Sequence, residues 1–139
     1  MYNYPTLNRL SKILRKSGKR TVSDKIIVET ANILKVQGYN EPYKLMVDAI
    51  ELIKPMVELR SQKKSGQSIQ IPSAMTTYRQ EGRAIRILKE ASSKGNKSTM
   101  PMNMAQEIIG IIRGEGSQSI SKRDSLHRMA ISQRGARRN

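Results

Sequence analysis

Residues 55–72, PMVELRSQKKSGQSIQIP, decide how this chain is read. Val57 and Leu59 alternate with Glu58 and Arg60, and Ile69 and Ile71 alternate with Ser68 and Gln70, the period-two pattern of two strands that each bury one face. Between them lies Gln62-Lys63-Lys64-Ser65-Gly66, predicted as the turn, where Gly66 can take a positive φ without a Cβ clash and both lysines stand at the tip. Pro55 and Pro72 are expected to bracket the unit, because proline lacks the N–H that a central ladder needs. Taken by itself the pattern is open between a surface hairpin with solvated lysines and an arm that touches a polyanion.

Working outward, helical periodicity takes over on both sides. Leu7, Leu10 and Leu14 share one face of a first helix and Arg9, Lys12, Lys16 and Lys19 the other, with Ser17-Gly18 as the predicted stop. A second helix is expected over Thr21–Gln37, with Val22, Ile26, Ile33 and Leu34 inward and Gly38 as its terminator, and a third over Glu41–Lys54, with Leu45, Met46, Ala49, Ile50 and Ile53 buried and Pro42 near its start. The fourth, from Ala74 to Lys94, divides its surface. Arg79, Arg83 and Arg86 fall within about 60° of one another on a 3.6-residue wheel, opposite Tyr78, Ala84, Ile85, Leu88 and Ala91. Guanidinium forks on consecutive turns suit phosphate oxygens, while a solvated face paired with Glu81 and Glu90 is the competing reading. Met102–Arg113 forms a fifth helix with Met104, Ile108, Ile111 and Ile112 inside, residues 114–119 a flexible turn, and 121–137 a last helix with Arg123, His127, Arg134 and Arg138 along one side.

The chain has 26 Lys and Arg against 11 Asp and Glu in 139 residues, a net charge of +15. Residues 1–40 hold eight cationic side chains and two acids, 41–72 five and four, and 73–139 thirteen and five, so the ends are the electrostatic surfaces. Such a field favours nucleic acid or an anionic membrane. No run approaches the roughly 20 apolar residues of a spanning helix, so no membrane partner is expected. With no cysteine and one histidine, neither disulfides nor a zinc site can be built, and no cofactor is expected. Gly110, Gly114 and Gly116 lack the spacing of a dinucleotide fingerprint, and residues 18–21 lack the upstream glycine of a phosphate loop. His127 has no nucleophile or clustered carboxylate to work with. Phe and Trp are absent, so binding would rest on phosphate, 2′-hydroxyl and shape contacts rather than on base stacking.

Three blocks then converge. Ser17-Gly18-Lys19-Arg20, the hairpin from Pro55-Met56-Val57-Glu58-Leu59-Arg60-Ser61 through Gly66 to Gln70-Ile71-Pro72, and Ser121-Lys122-Arg123-Asp124 followed by His127-Arg128-Met129-Ala130 and Arg134 resemble, in order and interval, the bacterial-type small-subunit ribosomal protein seven family, from about Leu7 to Arg134. The resemblance implies a mainly α fold: a six-helix single domain, 1–139, with one protruding two-stranded β-hairpin, 55–72, between helices three and four. It implies a non-catalytic constituent of the small ribosomal subunit that binds the 3′ major (head) domain of small-subunit rRNA and nucleates its assembly. Its hairpin would contact exit-site tRNA and mRNA, and its neighbours would be small-subunit proteins of the head and platform, with no homo-oligomer expected. Carried onto this chain, the rRNA-binding set is Arg9, Lys12, Lys16, Lys19, Arg20, Arg79, Arg83, Arg86, Lys122, Arg123, Arg128 and Arg134, and the tRNA- and mRNA-facing set is Arg60, Gln62, Lys63, Lys64, Ser65 and Gly66.

Against the family pattern, only Met1–Thr6 precede the first helix, Ile87 stands where tryptophan is common, Glu81-Gly82-Arg83 replaces a Gln-small-Leu pattern, and the chain ends Arg137-Arg138-Asn139 without an aromatic-basic terminus. Six Lys or Arg precede the first acid, Asp24, which mimics a transit peptide, but the resemblance aligns this helix with the mature domain. The divergent, isoleucine-rich sequence points to a mitochondrial ribosome, with the bacterial cytoplasm or a plastid as alternatives. The competing function is a basic DNA-binding or regulatory nucleic-acid-binding module that uses the arginine helix, which would need groove-reading side chains and a dimer face.

Overall fold

A computed structural model describes residues 4–15, 20–95 and 99–137, and within them the backbone alone at 20, 58–64, 68–72 and 133–137. The elements run α1 (Pro5–Leu14), α2 (Arg20–Val36), α3 (Pro42–Leu52), β1 (Val57–Lys64), β2 (Gln67–Ala74), α4 (Thr77–Ser93), α5 (Met100–Arg113) and α6 (Gln118–Arg137). The expected architecture of six helices and one hairpin between α3 and α4 is therefore the one observed.

Local chemistry sets most of the boundaries. Proline stands in the first turn of α1, α3 and α5, where a missing N–H leaves no bond unmade. Thr76 caps α4, its hydroxyl accepting the Arg79 N–H at 3.4 Å. Gly38 follows α2 at φ +102°, and Gly114 closes α5 in the left-handed region at φ +73°. Helix α1 stops at Leu14, ahead of the predicted Ser17-Gly18, which lies outside the described residues. Helix α4 starts at Thr77, later than predicted, because Ala74 still pairs with Val57 in the hairpin.

The core is aliphatic throughout. Leu7 and Leu10 of α1, Ile27 and Leu34 of α2, Met46 and Ile50 of α3, Ile85 and Leu88 of α4, and Met104, Ile108 and Ile111 of α5 make one cluster. Helix α5 packs against α2, α3 and α4 at its centre. The inward face of α2 is rotated from the predicted one. Val22 is 54% exposed and Ile26 and Ile33 only half buried, while Ser23, Ile27, Thr30, Ala31 and Leu34 point in. Two of these are polar and satisfied: the Ser23 hydroxyl lies 3.1 Å from that of Ser11, and Thr30 donates back to the Ile26 carbonyl at 2.8 Å.

The hairpin departs from its predicted outline. Strand β1 continues through Lys64 and pairs Lys64 with Gln67, so Gln62, Lys63 and Lys64 are strand residues and the turn is Ser65-Gly66 alone. Both turn residues have positive φ, +54° and +79°, the conformation of a two-residue primed turn whose twist matches the strands. Pro72 does not end β2. It pairs with Leu59, and in a two-stranded ladder each strand keeps an open edge on which a missing N–H is tolerated. The register also puts positions 57 and 59 on one side of the ladder and 69 and 71 on the other, so the two apolar sets do not share a face.

The stretch after α5, expected to be a flexible turn, is tied down. Ser117 donates its hydroxyl to Glu107 Oε1 at 2.7 Å, the Ser119 N–H reaches the same oxygen at 2.8 Å, and the Ser117 hydroxyl accepts the Ile120 N–H at 3.1 Å. Glu107, Ser117 and Ser119 are all buried. A buried carboxylate on α5 thus holds the first turn of α6 through donors that this helix start would otherwise leave unpaired.

Candidate nucleic-acid interface

Helix α4 presents its arginines outward as the spacing predicts: Arg79 and Arg86 are exposed and Arg83 is half buried. Opposite them Ala84, Ile85, Leu88 and Ala91 are buried, together with Ile87. Tyr78 is not in the core. It is 73% exposed, and the Arg9 guanidinium lies over its ring with Cζ 3.6 Å from the centroid. Arg9 also donates to the Tyr78 carbonyl at 2.6 Å and pairs with Glu81 at 3.3 Å, while Glu81 accepts from the Thr6 hydroxyl at 3.1 Å.

Gly82 explains how these groups come so close. A Cβ added at this position would stand 2.5 Å from Arg9 Nη2, 3.2 Å from Arg9 Cζ and 3.6 Å from Arg86 Nη1. The bare backbone of α4 leaves the space that the Arg9 guanidinium fills, which accounts for a glycine that costs helix propensity of about 1 kcal/mol. Arg9 of α1 and Arg86 of α4 thus both come close to this glycine, and Arg9 pairs with Glu81.

The basic surface continues toward α6. Glu90, two turns beyond Arg83, accepts from Lys94 at 3.0 Å; that hydrogen bond, the Lys94 charge, and then Lys122 and Arg83 hold its carboxyl below the ordinary carboxylate value. Lys122 of α6 lines the same hollow as Glu90 and Lys94. Lys12 and Arg128 are exposed on α1 and α6. Of the other expected contacts, Lys16 and Lys19 lie outside the described residues, and Arg20, Arg134 and the positions from Arg60 to Lys64 are described by backbone only.

Three cations that the sequence offers as surface charge bond inside the protein. Lys89 donates to the Ile13 carbonyl at 3.1 Å, at the end of α1. Arg123 donates through Nη1 to the Leu52 carbonyl, the last of α3, while its Nε and Nη2 hold Asp124 at 3.2 and 3.0 Å. Arg9 is the third. Helix C-terminal carbonyls lack intrahelical donors and carry partial negative charge, so Lys89 and Arg123 act as caps delivered from another helix. His127, one turn beyond Arg123, accepts the Met56 N–H on Nε2 at 3.0 Å, which requires that nitrogen to be unprotonated. This side of α6 faces the root of the hairpin. Sequence reasoning did not assign His127 this role, because nothing local links residues 56 and 127.

Among the described residues no group of three or more His, Cys, Asp or Glu could hold a metal ion, and no helix is long and apolar enough to cross a membrane.

A family model described as ribosomal protein S7p/S5e matches residues 1–134. The chain belongs to the ribosomal protein S7 family. Relatives named small ribosomal subunit protein uS7 include those of Methylibium petroleiphilum, 30% identical over 89% of this chain and 79% of the relative, Paracoccus denitrificans, 31% over 93% and 82%, and Marinobacter nauticus, 33% over 88% and 80%. Members of the S7 family are structural proteins and not enzymes.

Proposed function

We propose that this S7-family chain binds the 3′ major, or head, domain of small-subunit rRNA through the outer face of α4 and its borders on α1 and α6, helps that domain assemble, and carries its hairpin to exit-site tRNA and mRNA. The observation that carries this reading is the approach of Arg9 and Arg86 to Gly82, on a helix face that also presents Arg79 and Arg83, with Lys122 of α6 beside Glu90: basic side chains contributed by three helices. A folded RNA offers phosphates at the spacing such a surface can neutralise. Lys12, Arg79, Arg83, Arg86, Lys122 and Arg128 are the contacting set, with Lys16, Lys19, Arg20 and Arg134 as further basic positions. Arg9 and Arg123 complete the set and are also bonded within the protein. Arg60, Gln62, Lys63, Lys64, Ser65 and Gly66 form the outer hairpin that meets tRNA and mRNA. The ribosome is read as mitochondrial from the divergent, isoleucine-rich composition, and cell fractionation of the tagged chain against mitochondrial and cytoplasmic ribosomes tests this point.

Binding of the purified chain to the 3′ major domain of its own small-subunit rRNA, against duplex DNA of equal length over a salt series, tests the main reading. Tight, competitor-resistant binding to the rRNA with a steep salt slope supports it; equal binding to both reopens the DNA-binding alternative. Lys63→Ala with Lys64→Ala is expected to weaken exit-site tRNA retention while leaving rRNA binding intact. Comparable loss of rRNA binding from that pair overturns the assignment of the tip to tRNA.

A further inference from the structure

Among the described residues, the hairpin packs against α6 and against no other helix. Its root is short and stiff: Ile53 is fully buried and Pro55 is buried, Lys54 pairs with Glu51 at 2.6 Å, and proline fixes its own φ and restricts the residue before it. Among the described residues, two polar links cross to this root from α6. Arg123 takes the last carbonyl before the root, Leu52, and His127 accepts the first N–H after it, Met56.

We propose that α6 aims the hairpin, with Arg123 and His127 as its positioning residues. The proposal deepens the reading of the hairpin as the tRNA-facing arm and rests on it only for its purpose. Helix α6 can bear this load because its first turn is fixed to α5 through Glu107, with Arg123 and His127 following within about two turns. Leverage makes the root matter. Eight residues per strand at about 3.4 Å each give an arm about 27 Å long, so a change of about 10° at the root moves the tip about 5 Å. A shift of that size exceeds hydrogen-bond reach and would separate a lysine from its phosphate.

The chain has no cysteine, so two can be introduced for spin labels without background. One goes at exposed Gln67 beside the hairpin turn, the other at Val36, 87% exposed at the end of α2. The distance distribution is measured by electron–electron resonance in the free protein, without RNA. The parent is expected to give one narrow distance. His127→Leu and Arg123→Met should broaden it and shift its centre by several ångströms, whereas His127→Gln, whose side-chain carbonyl can accept the same N–H, should restore the parental distribution. An unchanged distribution in His127→Leu and Arg123→Met overturns the proposal, and so does a Gln variant as broad as Leu, which would reduce His127 to a space-filling role. Amide exchange at Met56 keeps the question decidable if a variant loses stability: protection lost in Leu and retained in Gln supports the link, and equal protection in both refutes it. Because no RNA is present, failure of the rRNA or tRNA reading leaves this result standing, and the converse also holds.

Discussion

Replacement of Glu107 separates the geometry of its buried contact from its charge. Both donors, the Ser117 hydroxyl and the Ser119 N–H, converge on the same carboxylate oxygen, Oε1, at 2.7 and 2.8 Å. Glu107→Gln can keep an acceptor at that point and loses only the charge assistance, so it should cost about 1 kcal/mol. Glu107→Ala removes the acceptor from two buried donors and leaves the start of α6 without its anchor, for a loss of about 3 kcal/mol. At about 2.1 cal/mol/K per residue, 139 residues give a melting entropy of about 0.3 kcal/mol/K, so the two losses translate into about 3 °C and about 10 °C in Tm. Calorimetry with matched urea titrations reads both. A Gln variant as unstable as Ala, or an Ala variant within 1 °C of the parent, would refute the reasoning that one oxygen holds the two elements together.

Gly82→Ala should stabilise an Arg9→Ala background by up to about 1 kcal/mol and the parent by less, because in the parent the end of the Arg9 side chain must shift to admit the methyl; a double-mutant cycle in urea with equal gains contradicts the packing described. Glu90 has its folded-state pKa lowered by Lys94, so its contribution is present above the ordinary carboxylate value, about 4.5, and is lost as pH falls through the lower folded value; the urea midpoints of parent and Glu90→Gln should differ at neutral pH and converge in acid. Substituting Arg79, Arg83 or Arg86 with Ala should each lower the slope of log binding constant against log salt for rRNA by about 0.8, and an unchanged slope removes that residue from the phosphate-facing set.

Much of the architecture is legible in residue spacing, and the exceptions share a physical origin. Leu7, Leu10 and Leu14, with Ser11 the one polar residue buried beside them, and Met46, Ala49 and Ile50 announce their faces because apolar residues dominate the inward positions. On α2 the inward stripe includes Ser23 and Thr30, whose hydroxyls are satisfied by Ser11 and by the Ile26 carbonyl, so apolarity alone points to the neighbouring stripe through Val22 and Ile33. Tyr78 carries an apolar ring, but sits in the first turn of α4, where the group packed on it is a cation from α1. The arginine face of α4 follows from periodicity. What Arg9, Lys89, Arg123 and His127 do depends on carbonyls, a ring and an N–H far away in sequence, and local pattern carries no trace of them. Serine-glycine composition likewise suggests looseness at 114–119, while the buried carboxylate that orders it belongs to the preceding helix.

The order in which the chain is made gives the hairpin's dependence on α6 a temporal side. Strands β1 and β2 leave the synthesising ribosome well before α6, which follows every other described element. Helices α1 to α5 can assemble their common core while the hairpin, already paired within itself, still lacks α6, on which it leans. The arm acquires its direction only when the final helix docks, so a chain cut short before Gln118 would retain the hairpin and lose its aim.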